Sequence, residues 1–152
     1  MIIGNVNVGK STLFNKIIDK DRAIITEFKG TTRDILSNNT IIDGKKFEVF
    51  DTAGQRPRQG KIEKYGYKKA QNLSKIIDHF LILVDKNTED KNINKLLKDF
   101  DVKKNFTLIE TKSDHFNYNS KNIKINHHLD RDTVLKRIKL LSIYKKYINN
   151  KS

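Results

Sequence analysis

Residues 4–11 read Gly4-Asn5-Val6-Asn7-Val8-Gly9-Lys10-Ser11 and fit the pattern G-x-x-x-x-G-K-[ST] in full. In this pattern two glycines allow a tight backbone turn, so that successive N–H groups point inward at a phosphate. The apolar stub Met1–Ile3 precedes the turn, and the periodicity of Ser11–Asp19 predicts a helix after it. We therefore expect a phosphate-binding loop, in which Lys10 reaches the β- and γ-phosphates and the Ser11 hydroxyl binds Mg²⁺.

Outward from this loop, β-rich and helical patterns alternate along the chain. The predicted strands are Ile35–Ile42, Lys45–Phe50, Asp78–Asp85, Phe106–Glu110 and Asn122–Asn126. The predicted later helices are Lys61–Lys75, Thr88–Phe100 and Asp130–Ile148. Such an alternation predicts an α/β fold with a mostly parallel sheet covered on both faces, and the Asp43-Gly44 hairpin adds one antiparallel strand. We expect a P-loop three-layer sandwich that forms one domain over residues 1–152.

Composition limits the function classes. The chain has 152 residues, no cysteine and no apolar run long enough to span a membrane, and these features predict a cytoplasmic protein without disulfides or thiolate metal sites. The net charge is +13, which suggests a nucleic-acid partner. Only 6 of the 31 basic residues are Arg, however, and Lys, Ile and Asn are all abundant. Compositional drift of an A/T-rich coding sequence also explains the charge and is the interpretation that this composition favours, while a nucleic-acid-binding patch stays open as the alternative.

Two further motifs fall where predicted strands end. Phe50-Asp51-Thr52-Ala53-Gly54 lies 40 residues past Ser11, where an aspartate can hold Mg²⁺ through water and a glycine N–H can face the γ-phosphate. Thr111-Lys112-Ser113-Asp114 follows Phe106–Glu110. A carboxylate there can accept two hydrogen bonds from guanine, and the lysine stem can lie over the base. Together the three motifs indicate a guanine-nucleotide site.

These residues resemble the translation-factor class of P-loop GTPases and, within it, the tRNA-modification GTPase family. Besides the three motifs, the resemblance rests on Ala23–Thr26 leading into Gly30-Thr31-Thr32-Arg33-Asp34, on Arg56 after the D-T-A-G run, and on the helix Ile62–Ala70. It covers about residues 1–114. It implies GTP hydrolysis to GDP and phosphate with Mg²⁺ and K⁺, G domains that pair as a homodimer, and a flavin-dependent partner protein and tRNA as partners of the full-length family.

The resemblance also implies roles for individual residues. Ser11 and Thr32 would bind Mg²⁺, and Asn7, Thr26, Phe28 and Thr31 would bind K⁺. Glu63 would orient the attacking water, and Lys10 would act with it on the phosphates. The full set expected around the nucleotide is Asn7, Val8, Gly9, Lys10, Ser11, Thr12, Thr26, Glu27, Phe28, Lys29, Gly30, Thr31, Thr32, Asp51, Thr52, Ala53, Gly54, Thr111, Lys112 and Asp114.

Some assignments have competitors. Gln55 follows D-T-A-G directly, where Ras-like GTPases place the glutamine that orients the water, so it competes with Glu63 for that role. Arg56 and Arg58 are interpreted as switch charges. The adjacent His127 and His128 are interpreted as surface residues, because their spacing is poor for metal binding.

The chain also departs from the family. The amino-terminal folate-binding domain, the helical domain and its catalytic cysteine have no counterpart, the first strand is short, and the guanine-contacting S-A-[KR] segment is missing near Lys124-Ile125-Asn126. We therefore expect a G domain truncated at its first strand. Two alternatives follow: a ribosome-assembly-type GTPase that uses its basic surface on RNA, and a degenerate fragment that binds nucleotide without turnover.

Overall fold

A computed structural model describes residues 1–18, 36–52, 61–112 and 122–149, with the side chains of residues 36 and 61–66 not included. The strands are β1 (Ile2–Gly4), β2 (Leu36–Ile42), β3 (Lys45–Asp51), β4 (Phe80–Val84), β5 (Phe106–Glu110) and β6 (Ile123–Lys124). The helices are α1 (Lys10–Ile17), α2 (Lys61–Leu73), α3 (Asp90–Asp99), α4 (Arg131–Ile138) and α5 (Leu140–Asn149), with a 3₁₀ turn at Ser74–Ile76.

The six strands form one sheet in the order β2-β3-β1-β4-β5-β6. Only β2 and β3 pair antiparallel, in a register that brings Ile42 opposite Lys45 across the Asp43-Gly44 turn. The other pairs are parallel, and β1 lies between β3 and β4. The predicted α/β class, the mostly parallel sheet and the hairpin are confirmed.

Each face of the sheet carries its own apolar core, because side chains alternate along the strands. Ile2, Leu81 and Leu83 pack on the face covered by α1, α4 and α5. Ile3 and Ile82 pack on the face covered by α2 and α3. β4 is an uninterrupted apolar run and is buried along its whole length, as is typical of a central parallel strand.

The carboxyl ends of the parallel strands β1, β3, β4, β5 and β6 share one edge of the sheet. The segment after β1 turns there into α1, and the segments after β3 and β5 carry the other two predicted motifs. This edge is where ligands bind in open α/β sheets.

One predicted element is wrong in its extent. Asp130–Ile148 forms two helices, α4 and α5, because Lys139 adopts a left-handed backbone with φ of 59° between them. Asp130 caps α4 by accepting a hydrogen bond from the Thr133 N–H at 2.7 Å. In the described part of the chain, none of the helices is long and apolar enough to cross a membrane.

Candidate nucleotide-binding site

The turn between β1 and α1 needs both of its glycines. A Cβ on Gly4 would lie 2.7 Å from the Leu83 carbonyl oxygen and 2.9 Å from the Val8 side chain, so no larger residue fits between β1 and β4. Gly9 has φ of 102°, in the left-handed region, directly before α1. Asn7 also has a positive φ, of 63°. This backbone turns the loop over the amino-terminal end of α1, where N–H groups and the helix dipole favour an anion.

Lys10 begins α1 and its side chain folds back along the loop. Its Nζ donates to the carbonyl oxygens of Gly4 at 2.5 Å and Asn5 at 3.0 Å. Burial lowers the pKa of Lys10 from its usual value, and the nearby Asp51 carboxylate opposes this shift. A cationic donor is thus held beside the loop that would enclose phosphate.

Asp51 and Ser11 meet at this edge although 40 residues separate them. Asp51 is fully buried at the end of β3, where β3 pairs with β1. The Ser11 hydroxyl donates to its Oδ2 at 3.2 Å. The next residue, Thr52, donates from its hydroxyl to the Ile2 carbonyl at 2.9 Å, which fixes the start of the D-T-A-G segment against β1.

Thr111 ties the end of β5 to the phosphate loop. Its buried hydroxyl donates to the Val8 carbonyl and lies 3.3 Å from the Val84 carbonyl. Lys112 has a left-handed φ of 56°, and its Nζ donates to the Asn7 carbonyl and lies 4.0 Å from the Asp85 carboxylate. The first two residues of the predicted base motif therefore hold the loop as well as bordering the site.

Two cavities flank this loop. One, of about 890 Å³, is lined by Asn7, Lys10, Ser11 and Thr52 and extends to α2 and α3. The other, of about 260 Å³, lies between Gly9 and Thr12 on one side and Thr111 and Lys112 on the other. The larger cavity borders Lys10 and Ser11, and the smaller one borders Thr111.

Sequence reasoning missed two residues that line the smaller cavity, Asn126 and His127. They follow β6, at the segment that lacks the S-A-[KR] pattern. The Asn126 side chain accepts a hydrogen bond from the His128 N–H at 3.0 Å, and the rings of His127 and His128 lie 3.8 Å apart. The sequence carries no signal for this position, which results from the pairing of β6 with β5, since that pairing brings the ends of both strands to the same place.

The predicted site residues fall into two groups, with Glu63 in neither. The structure brings together Asn7, Val8, Gly9, Lys10, Ser11, Thr12, Asp51, Thr52, Thr111 and Lys112. Outside the described residues lie Thr26, Glu27, Phe28, Lys29, Gly30, Thr31, Thr32, Ala53, Gly54, Gln55, Arg56, Arg58 and Asp114. Glu63 lies in α2, without a described side chain.

Comparison with solved structures shows the same fold. The G domain of the T. maritima FeoB iron transporter superposes with a TM-score of 0.64 at 15% identity, over 93% of this chain and 96% of that one. A single-residue variant of Aquifex aeolicus Era bound to GDP·AlF₄⁻ gives 0.62 at 19% identity, over 97% of this chain and 55% of that one.

Comparison with curated sequences is more specific. The tRNA modification GTPase MnmE of Fervidobacterium nodosum is 46% identical over 102 residues, which are 64% of this chain and 22% of that protein. MnmE of Wigglesworthia glossinidia brevipalpis is 40% identical over 117 residues, 75% of this chain and 26% of that protein. The chain thus spans about a quarter of the length of these relatives.

A family model described as 50S ribosome-binding GTPase matches residues 1–112, which include the phosphate loop, Asp51 and Thr111. The chain therefore belongs to this GTPase family, as a GTPase domain similar to part of MnmE.

Proposed function

We propose that the chain binds GTP with Mg²⁺ and hydrolyses it to GDP and phosphate with the help of K⁺, as the G domain of a tRNA-modification GTPase. The observation that carries the proposal is the hydrogen bond between buried Asp51 and the Ser11 hydroxyl, at 3.2 Å, beside the phosphate loop. The similarity to MnmE over the same residues supports the choice of reaction.

The donors at this point suit magnesium. Mg²⁺ prefers hard oxygen ligands and keeps several waters, and a hydroxyl beside a buried carboxylate offers such oxygens. Bound there, the ion would neutralise charge that develops on the phosphates. Ser11 would hold it directly and Asp51 through water, while Lys10 and the loop N–H groups bind the phosphate oxygens.

Potassium is proposed from the resemblance and from the position of Asn7. Asn7 is exposed at the tip of the loop, next to Val6, whose side chain is 78% exposed. An ion beside Asn7 would add positive charge near the transferred phosphoryl group, and Thr26, Phe28 and Thr31 complete the proposed ligand set. An exposed tip also supports face-to-face pairing of two G domains, the proposed homodimer. The flavin-dependent partner protein and tRNA are proposed as partners only where this G domain acts together with the further domains of its longer relatives.

The test compares GTP turnover in KCl and in NaCl at equal ionic strength, with Mg²⁺ and at protein concentrations that allow pairing. We expect faster turnover in KCl, and loss of turnover on chelation of Mg²⁺ by EDTA. Equal rates in the two salts contradict the potassium assignment. Tight GDP binding, together with GTP hydrolysis no faster than the uncatalysed rate in buffer, contradicts the proposed GTPase activity and identifies a nucleotide-binding module.

The water-orienting residue is tested by a matched pair of variants. Glu63→Ala should leave GDP affinity unchanged and slow hydrolysis by about 10²-fold, a usual value for loss of a group that directs proton transfer or water. Gln55→Ala should hydrolyse GTP at nearly the original rate. The reverse result assigns the role to Gln55 and contradicts the tRNA-modification type of mechanism.

A further inference from the structure

Four lysines from three parts of the chain surround one cleft of about 470 Å³, which we call the lysine cleft. Lys75 comes from the 3₁₀ turn after α2, Lys103 and Lys104 from the segment before β5, and Lys146 from α5. All four are exposed. Asp101 is the one carboxylate among the described residues that line it, so the cleft is strongly basic.

The lysine cleft lies at the opposite edge of the sheet from the nucleotide site. Its lining includes Phe80 and Asn105, which stand at the amino ends of β4 and β5. The Phe80 N–H donates to the Asn105 carbonyl at 2.9 Å, and this bond joins the start of β4 to the segment before β5 at the cleft. A ligand in the cleft therefore leaves the phosphate loop accessible.

The cleft combines point charges with an aromatic side chain. Tyr147 is half-buried, and its hydroxyl lies 3.1 Å from Nδ1 of His79, whose ring packs edge-on against it. Lysine ammonium groups attract phosphates without the bidentate geometry of arginine. They therefore suit the successive phosphates of a nucleic-acid backbone better than one phosphate held in a fixed orientation. An aromatic face beside such charges can stack an unpaired base.

The described arginines are engaged elsewhere. Arg131 donates to the Ile17 carbonyl at 3.1 Å, and Arg137 donates to the Lys124 carbonyl at 2.8 Å. The positive charge of the cleft thus comes from lysine side chains. Their flexible ammonium groups can follow the phosphates of a flexible polyanion.

We propose that the lysine cleft binds the phosphate backbone of single-stranded RNA. The inference is independent of GTP turnover, because the cleft shares no lysine with the nucleotide cavities and lies at the other edge of the sheet. A localised patch and compositional drift predict different behaviour. Drift would spread the affinity for RNA over the whole surface, whereas a patch concentrates it at the four lysines of the cleft.

The experiment uses two variants of equal charge. In the cleft variant, Lys75, Lys103, Lys104 and Lys146 are all changed to Gln. In the control variant, the exposed Lys45, Lys91, Lys98 and Lys136 are all changed to Gln. Each variant has a net charge of 13 − 4 = +9. Binding of a labelled oligo-uridine of about 20 nucleotides is followed by fluorescence anisotropy at several salt concentrations.

We expect the cleft variant to lose at least about tenfold in affinity at low salt and its log–log salt slope to fall in magnitude by about 2.8, or 0.7 for each of four phosphate contacts. The control variant should lose less than about threefold. Equal losses in both variants, or no RNA binding by the original chain, overturn the proposal. Tighter binding of duplex DNA, or ready displacement of RNA by polyglutamate, also overturns it. GDP affinity, measured in parallel, should be the same in all three proteins.

Discussion

Lys10 is the residue on which nucleotide binding depends most directly. Its ammonium group is held by the carbonyls of Gly4 and Asn5, beside the loop that would enclose the phosphates. Replacement by Ala removes the charged donor together with its two hydrogen bonds to the loop carbonyls. We expect Lys10→Ala to weaken GDP binding by about two orders of magnitude, because hydrogen bonds to charged groups contribute about 1.5–3 kcal/mol.

Titration of GDP with Mg²⁺ by calorimetry measures this loss. Lys136→Ala, an exposed lysine on α4, serves as the control and should bind GDP like the original chain. Unchanged GDP affinity in Lys10→Ala would refute the phosphate-loop assignment.

At the same scale, sequence spacing located much of the candidate site. Ser11 and Asp51 were predicted to share it from the motif pattern alone, and they are in contact. The bond from Thr111 to the phosphate loop could not be predicted, because no sequence pattern relates a hydroxyl at this position to the carbonyl of Val8, 103 residues earlier. His127 was interpreted as a surface residue; it is exposed but also borders the smaller cavity, and only the pairing of β6 with β5 shows this.

Among the elements, the junction of α4 and α5 has the most informative backbone. Lys139 holds a left-handed conformation there, with φ of 59°, and its N–H donates to the Leu135 carbonyl at 3.1 Å. A side chain with a Cβ is strained in this region, whereas glycine is not. We expect Lys139→Gly to raise the free energy of unfolding by about 0.5–1 kcal/mol.

Urea denaturation measures the change. The same substitution one turn earlier, Lys136→Gly within α4, should lower the free energy of unfolding by about 1 kcal/mol, since glycine disfavours a helix interior. Destabilisation of similar size by both substitutions would contradict the assignment of strain to Lys139.

The order and type of the elements followed from periodicity and turn residues, but their ends did not. Asp78–Asp85 was predicted as a strand, and β4 occupies Phe80–Val84, because ladder pairing with β5 sets its limits. The break at Lys139 has no proline or glycine to announce it. The apolar period of Asp130–Ile148 runs through Lys139, so periodicity alone predicts one continuous helix there.

For the molecule as a whole, His79 links stability to pH. It joins β5 to α5, with Nε2 2.8 Å from the Thr107 hydroxyl and Nδ1 3.1 Å from the Tyr147 hydroxyl. The pKa of His79 is lowered to about 4, first by burial and then by the ammonium groups of Met1 and Lys146. An unfolded histidine titrates near its ordinary value of about 6.5, so at about pH 5 the unfolded chain binds more protons at this position.

The contribution of neutral His79 to stability is therefore complete above about pH 6.5 and is lost as the pH falls toward 4. We expect the urea midpoint of the original chain to fall across this range, and that of His79→Gln to fall less steeply, from a lower starting value. Comparison of the two proteins cancels the titration of carboxylates common to both. Parallel pH profiles would contradict the link to His79.

The ties from Thr111 and Lys112 to the phosphate loop have a consequence for nucleotide selection. The segment beside the proposed base pocket and the loop beside the proposed diphosphate are fastened together through the carbonyls of Val8 and Asn7. Neither half can shift without pulling on the other. A purine that fits poorly in the base pocket would thus also weaken the binding of its own phosphates. Discrimination between nucleotides would then involve contacts to the phosphates as well as contacts to the base.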